Sequence, residues 1–179
     1  MTLIVTGGTK GIGLAIADHM AAPGRRQTLV YHSDEAAAAA ARAQLEAKGA
    51  VVTLVRADIG LRDEIERIMG EVEVEPGHPT CLVHSAAMIY PTSVLAADPE
   101  TFTQAMQVNG LSLFHLVQAG LPLFGAGSSI VLVSSAGART NSANYAALGV
   151  GKAMAESLMR YLAPELAPKG IRISAVAPG

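Results

Sequence analysis

Residues 2–6, Thr2-Leu3-Ile4-Val5-Thr6, form a short aliphatic and β-branched run that breaks on a glycine-rich turn, Thr6-Gly7-Gly8-Thr9-Lys10-Gly11-Ile12-Gly13. The turn passes directly into the amphipathic segment Leu14–Met20. This strand–turn–helix sequence constrains the fold more than any other stretch. A strand that is apolar at successive positions expects cover on both faces, as parallel strands have. Glycines let the backbone turn sharply, and the free N–H groups and dipole at the helix start favour a negative group such as a pyrophosphate. An ordinary strand-to-helix turn is the plain alternative, and the placement between first strand and first helix favours a dinucleotide site.

The same rhythm repeats along the chain. Strands are predicted near 2–6, 27–31, 51–56, 80–84, 128–134 and 171–176, and helices near 11–22, 34–48, 61–73, 99–121 and 143–167. Alternating strands and helices demand parallel pairing through right-handed crossovers. The expected fold is therefore α/β, a three-layer doubly wound Rossmann sandwich whose ligand crevice lies at the carboxyl ends of the strands. At 179 residues the chain is read as a single NAD(P)-binding domain, 1–179. The alanine run Ala36–Ala41 follows Asp34 and Glu35, which suit a helix N-terminus, and is read as a crossover helix.

Composition excludes several classes. The net charge of −2, from 13 Lys+Arg against 15 Asp+Glu, and the lack of a basic cluster argue against nucleic acid as a partner. No run reaches about 18 apolar residues without a break, so no membrane span is expected. Met1 leads straight into the first strand without a leader pattern, which points to a cytoplasmic protein. Cys81 is the single cysteine; it lies in an apolar run and is read as a structural thiol in a reducing compartment. No metal is expected.

The spacing Gly7-x3-Gly11-x-Gly13 is looser than G-x-G-x-x-G and resembles that of the short-chain dehydrogenase/reductase family. The resemblance covers essentially the whole chain. It implies cofactor contacts from Gly7, Thr9, Lys10, Gly11, Ile12 and Gly13. Strand two ends Leu29-Val30-Tyr31-His32-Ser33, with no carboxylate near Tyr31, where the family's NAD-selecting Asp would stand. Asp34 and Glu35 come later and are read as caps of the next helix. Lys10 resembles the basic residue that pairs with a 2′-phosphate, and His32 and Ser33 are placed to donate to it. NADPH is accordingly expected over NADH. Strand three ends Ala57-Asp58-Ile59, and the resemblance implies that Asp58, with Ile59 beside it, meets the adenine; capping the next helix is the competing role for Asp58. Strand four ends His84-Ser85-Ala86-Ala87, where the family shows Asn-Asn-Ala-Gly. Ser85, Ala86 and Ala87 are expected to line the cofactor ribose, and His84 is read as structural.

Strand five runs Ile130-Val131-Leu132-Val133-Ser134-Ser135, so its serines emerge at the ligand-bearing edge. Tyr145 follows ten residues after Ser135, and Lys152 seven after that, nearly two helical turns on and so on one face of the next helix. A phenol beside a cationic lysine is a proton donor for a developing oxyanion. The resemblance implies that Tyr145 donates the proton, Lys152 holds the nicotinamide ribose, Ser135 bonds the substrate oxygen and Asn109 supports a proton-relay water. The usual family pattern is Tyr-x3-Lys, yet Leu148 stands four before Lys152. Ser135 keeps the usual 17-residue separation from Lys152. This Tyr-x6-Lys arrangement resembles the divergent branch typified by enoyl-acyl-carrier-protein reductases. Reduction of an enoyl thioester, small or carrier-bound, is therefore expected, with carbonyl reduction of a 3-oxoacyl thioester as the alternative.

Ala177-Pro178-Gly179 resembles the turn beside the nicotinamide, where Pro178 and Gly179 would touch the cofactor. Family members continue into a substrate-covering segment. If 179 residues is the natural length, an acyl pocket open on one side is expected, and a truncated cofactor-binding protein with little turnover is the reading from another class. The apolar segments Phe102–Leu121 and Tyr145–Ala163 suggest a homodimer or homotetramer, or simple packing on the sheet.

Overall fold

The computed structural model describes residues 1–75 and 77–178. Among them, β1 (Thr2–Thr6), β2 (Arg26–Tyr31), β3 (Val51–Arg56), β4 (Thr80–His84), β5 (Ser129–Val133) and β6 (Arg172–Val176) pair in parallel in the order β3-β2-β1-β4-β5-β6. The helices are α1 (Gly11–His19), α2 (Glu35–Glu46), α3 (Arg62–Glu71), α4 (Pro99–Met106), α5 (Ser112–Gly120) and α6 (Ala146–Leu166). The strand order reverses between β1 and β4, and a crevice opens at that point beyond the carboxyl ends. No helix among the described residues is long and apolar enough to cross a membrane.

Alternation along each strand feeds two apolar layers. Ile4, Leu82, Ile130 and Leu132 face α3, α5 and α6, where Ile65, Ile68, Leu113 and Leu116 are fully buried. Leu3, Val5, Cys81 and Val83 face the other way, against Ala17 of α1 and Ala41 and Leu45 of α2. Cys81 thus packs as a small apolar group. Alanine at 38 and 41 is what lets α2 lie close to the sheet.

Two predicted helices are corrected. The segment read as one helix over 99–121 is interrupted by a wide π turn, Gln107–Leu111, because Asn109 in that turn bonds the backbone of Met88. The helix read from 143 begins at Ala146. Asn144 adopts a left-handed φ of 57° and Tyr145 is the N-cap, so Tyr145 stands just before α6 rather than on it.

His84 is fully buried and fully satisfied. Its Nδ1 lies 2.7 Å from Thr6 Oγ1 and its Nε2 2.9 Å from Ser112 Oγ. The Ser112 hydroxyl donates to the Val108 carbonyl, so it accepts from Nε2–H, and Nδ1 accepts from Thr6. Burial, and then the Lys152 charge, hold its pKa well below the usual histidine value. The ring is a neutral brace joining β1, β4 and the start of α5.

Candidate active site

The crevice has two connected parts. The smaller, about 340 Å³, lies over the ends of β2 and β3 and is lined by Gly7, Thr9, Lys10, His32, Ser33, Asp58, Ile59, Ala86 and Ala87. The larger, about 620 Å³, runs from Gly11, Ile12 and Ser85 to Ser135, Tyr145, Lys152 and Pro178, and shares Gly7, Lys10, Ala86 and Ala87 with the first. Gly179 lies outside the described residues.

The turn after β1 is held to β2, whose Val30 carbonyl accepts from the Gly7 and Gly8 N–H groups. Gly13 does not line the crevice. It packs against the turn so closely that any Cβ there would overlap the Gly7 carbonyl oxygen, so α1 can enter at this angle only with glycine. Lys10 provides no side-chain cap for α1, which leaves the helix N-terminus facing the crevice with N–H groups to donate.

The rim of the smaller part is charged. Lys10 Nζ lies 2.6 Å from Asp34 Oδ2. Asp34 also caps α2, accepting from Ala37 N at 3.0 Å, as its sequence position suggests. It lines the crevice as well, which its position did not suggest. Asp58 caps neither α3 nor any other helix. Its Oδ1 accepts from Gly60 N at 2.8 Å, closing a local turn, while Oδ2 stands 3.9 Å from His32 Nε2.

At the other end, Ser135 Oγ and Tyr145 OH are 3.0 Å apart. Ser135 Oγ also accepts from Gly137 N. The Tyr145 ring packs against Gly137, where an added Cβ would come within 2.5 Å of Tyr145 Cδ1. Gly137 therefore sets the position of the phenol. Gly137→Ala is expected to push the ring from Ser135 and lower turnover about tenfold or more with melting temperature changed little, which steady-state kinetics beside a thermal melt will check. Unchanged kcat would show that the ring need not sit there.

Lys152 is 3% exposed, and its Nζ is buried with no hydrogen-bond partner among the described residues. Burial lowers its pKa to about 8. An ammonium group in that state calls for an acceptor from a ligand, since a buried charge left alone is costly. The uncapped α1 terminus, the glycine-rich turn and this orphaned ammonium fit a dinucleotide, which α1 would meet with its N–H groups and Lys152 with its ammonium.

Asn109 lines neither part. It is fully buried, and its side chain is engaged at both ends by Met88, with Oδ1 accepting from the N–H and Nδ2 donating to the carbonyl. It secures the segment after β4 that carries Ser85, Ala86 and Ala87. Leu148 is largely buried in the wall of the larger part, beside Val133 and Ser134. Ser134 Oγ donates to Glu156, which also accepts from Arg139. Val30, Tyr31, Asp34, Ala57, Met88, Gln104 and Val108 also line the smaller part and were not expected there from the sequence. Only Asp34, a carboxylate shortly after β2, carried a signal that could have found it.

A family model described as Enoyl-(Acyl carrier protein) reductase matches residues 7–179. The chain is 33% identical over 183 residues to the short chain dehydrogenase/reductase AacuD of Aspergillus aculeatus, with 99% of this chain and 63% of AacuD covered. It is 30% identical over 181 residues to the 3-oxoacyl-[acyl-carrier-protein] reductase FabG of Staphylococcus epidermidis, with 98% of this chain and 73% of FabG covered. The crystal structure of a short chain dehydrogenase from Burkholderia cenocepacia J2315 in complex with NADP superposes with a TM-score of 0.91 at 29% identity, covering 99% of this chain and 73% of that one. The chain spans about two-thirds of the length of the curated relatives it matches. The family match over almost all residues, the close superposition on a solved short chain dehydrogenase and the phenol–serine–lysine cluster lead to one conclusion: the chain belongs to the short-chain dehydrogenase/reductase family.

Proposed function

We propose that residues 1–179 form the NAD(P)-binding and reacting domain of an NADPH-dependent oxidoreductase that reduces the C=C bond of an enoyl thioester. The observation that carries this reading is the Ser135–Tyr145 pair at 3.0 Å, with Lys152 buried in the same cavity and Leu148, which has no hydroxyl, one turn before it. Lys10, His32 and Ser33 at the mouth of the smaller part favour a 2′-phosphate, and the Burkholderia relative holds NADP. The reduced nicotinamide, when bound, supplies hydride.

The protein supplies binding, orientation and a proton. Lys152 Nζ would donate to ribose hydroxyls and place positive charge behind the phenol. Tyr145 would donate its O–H proton to the thioester oxygen as that oxygen gathers charge, and Ser135 would share the same oxygen as a second donor. In enoyl reduction that oxygen lies two bonds further from the carbon receiving hydride than in direct carbonyl reduction. A phenol one turn before the usual position suits that displacement. Two donors converging on one oxygen also suit a 3-oxoacyl carbonyl, and the FabG likeness favours that second reading.

A carrier-bound acyl group belongs to the same proposal, supported by the likeness to the enoyl-(acyl carrier protein) reductase model and to FabG, and so does a homodimer or homotetramer, supported by Leu111 and Leu121 beside α5 and Val150 and Tyr161 on α6, which stay exposed. NADPH oxidation with crotonyl and acetoacetyl thioesters tests the reaction. Turnover of the crotonyl thioester is the expected result. Turnover of the keto thioester alone would replace it with carbonyl reduction, and binding of NADPH with turnover of neither would leave a cofactor-binding protein.

A further inference from the structure

Lys10 and Asp34 come from different crossovers, 24 residues apart, and meet across the mouth of the smaller part of the crevice at 2.6 Å. Asp34 is not a freely swinging surface acid. One carboxylate oxygen is held by Lys10 and the other by the N–H of Ala37 at the start of α2, so the group is fixed at the rim. Both partners keep substantial exposure, 63% for the Lys10 side chain and 44% for that of Asp34, so an arriving ligand can reach either. The neighbouring charges do not cancel this arrangement. His32 faces Asp58 at 3.9 Å, while Glu35 accepts from Tyr31 and lies 3.5 Å from Arg56.

This geometry has opposite consequences for two ligands. A phosphate that seeks Lys10 must take it from Asp34 and then sit beside a carboxylate. A hydroxyl can donate to Asp34 while the ion pair stays intact. Resting on the reading of this crevice as a nicotinamide-dinucleotide site, we propose that Asp34 is a specificity-determining residue: it competes with the 2′-phosphate for Lys10, accepts from a bare 2′-hydroxyl, and thereby keeps the preference for NADPH over NADH small.

Isothermal titration of the full chain with adenosine 2′,5′-bisphosphate and with adenosine 5′-monophosphate tests this without requiring turnover. Asp34→Asn removes the charge but keeps an N-cap acceptor, so α2 should persist, and Asp34→Ser provides a second capping variant should the first melt early. Both are expected to bind the bisphosphate about three- to tenfold more tightly, as removal of one water-screened negative charge beside a doubly charged group implies, with a smaller gain at high salt. The monophosphate should bind equally or more weakly. Adding Lys10→Ala should abolish the gain, showing that it passes through the lysine. If the wild type binds either nucleotide and the Asp34 variants bind the bisphosphate no more tightly, the role of Asp34 is overturned while the cofactor reading stands. If neither nucleotide binds any of the proteins, the cofactor reading falls and this role with it.

Discussion

Tyr145→Phe should lower kcat by about 10²–10⁴ while leaving the melting temperature and cofactor affinity nearly unchanged, because it removes one hydroxyl positioned for proton donation and nothing else. The phenylalanine ring would still rest on Gly137, so the turn and the start of α6 keep their packing. Ser135 would lose its 3.0 Å partner but keep the Gly137 N–H, so no buried group is stranded. Single-turnover and steady-state rates on the better of the two thioesters provide the measurement. Undiminished turnover would remove Tyr145 from the chemistry and turn attention to Ser135 alone.

Lys152→Met should have opposite effects on stability and function. The wild-type ammonium is buried without a hydrogen-bond partner among the described residues, and burial lowers its pKa from 10.5 to about 8. That difference corresponds to about 3 kcal/mol of penalty on the charged form in the folded state. Methionine of similar length removes the charge and keeps the stem, so the ligand-free variant should be more stable at pH 7 by up to about 3 kcal/mol, or several degrees in melting temperature. The sign of the pH dependence follows from which state holds the proton. Between pH 8 and 10.5 the unfolded chain keeps it and the native chain gives it up, so wild-type stability rises with pH across that window. Below about pH 8 the penalty is present in full. The variant should lack this rise, and it should bind NADPH poorly and turn over little. Thermal melts at pH 7 and pH 10, without and with NADPH, separate the two effects. A variant less stable than wild type at pH 7 would show that Lys152 is compensated in the free protein.

These two residues also show how far the amino-acid order reaches. The step from Tyr145 to Lys152 and the run leading to Ser135 place all three at one edge of the sheet, and this is legible because strand ends and helical periodicity are local properties. That the phenol meets Ser135 depends on Gly137 clearing space for its ring and on Asn144 turning the chain just before α6. Neither condition is visible as a pattern. Similarly, the run Val51–Arg56 reads as a strand from its own residues, whereas the π turn at Gln107–Leu111 exists because Asn109 finds Met88, 21 residues away.

Residue order alone carried the parallel α/β architecture, the glycine-rich turn after β1 and the identity of the side chains proposed to react, since apolar alternation, glycine spacing and residue type act over short stretches of chain. Assembly of the sheet set the electrostatic state of the site: the pairing of Lys10 with Asp34, the neutral His84 brace and a Lys152 ammonium without a hydrogen-bond partner among the described residues. Charge interactions and burial depend on distances between segments far apart in the chain, and those distances come into being only when the sheet assembles.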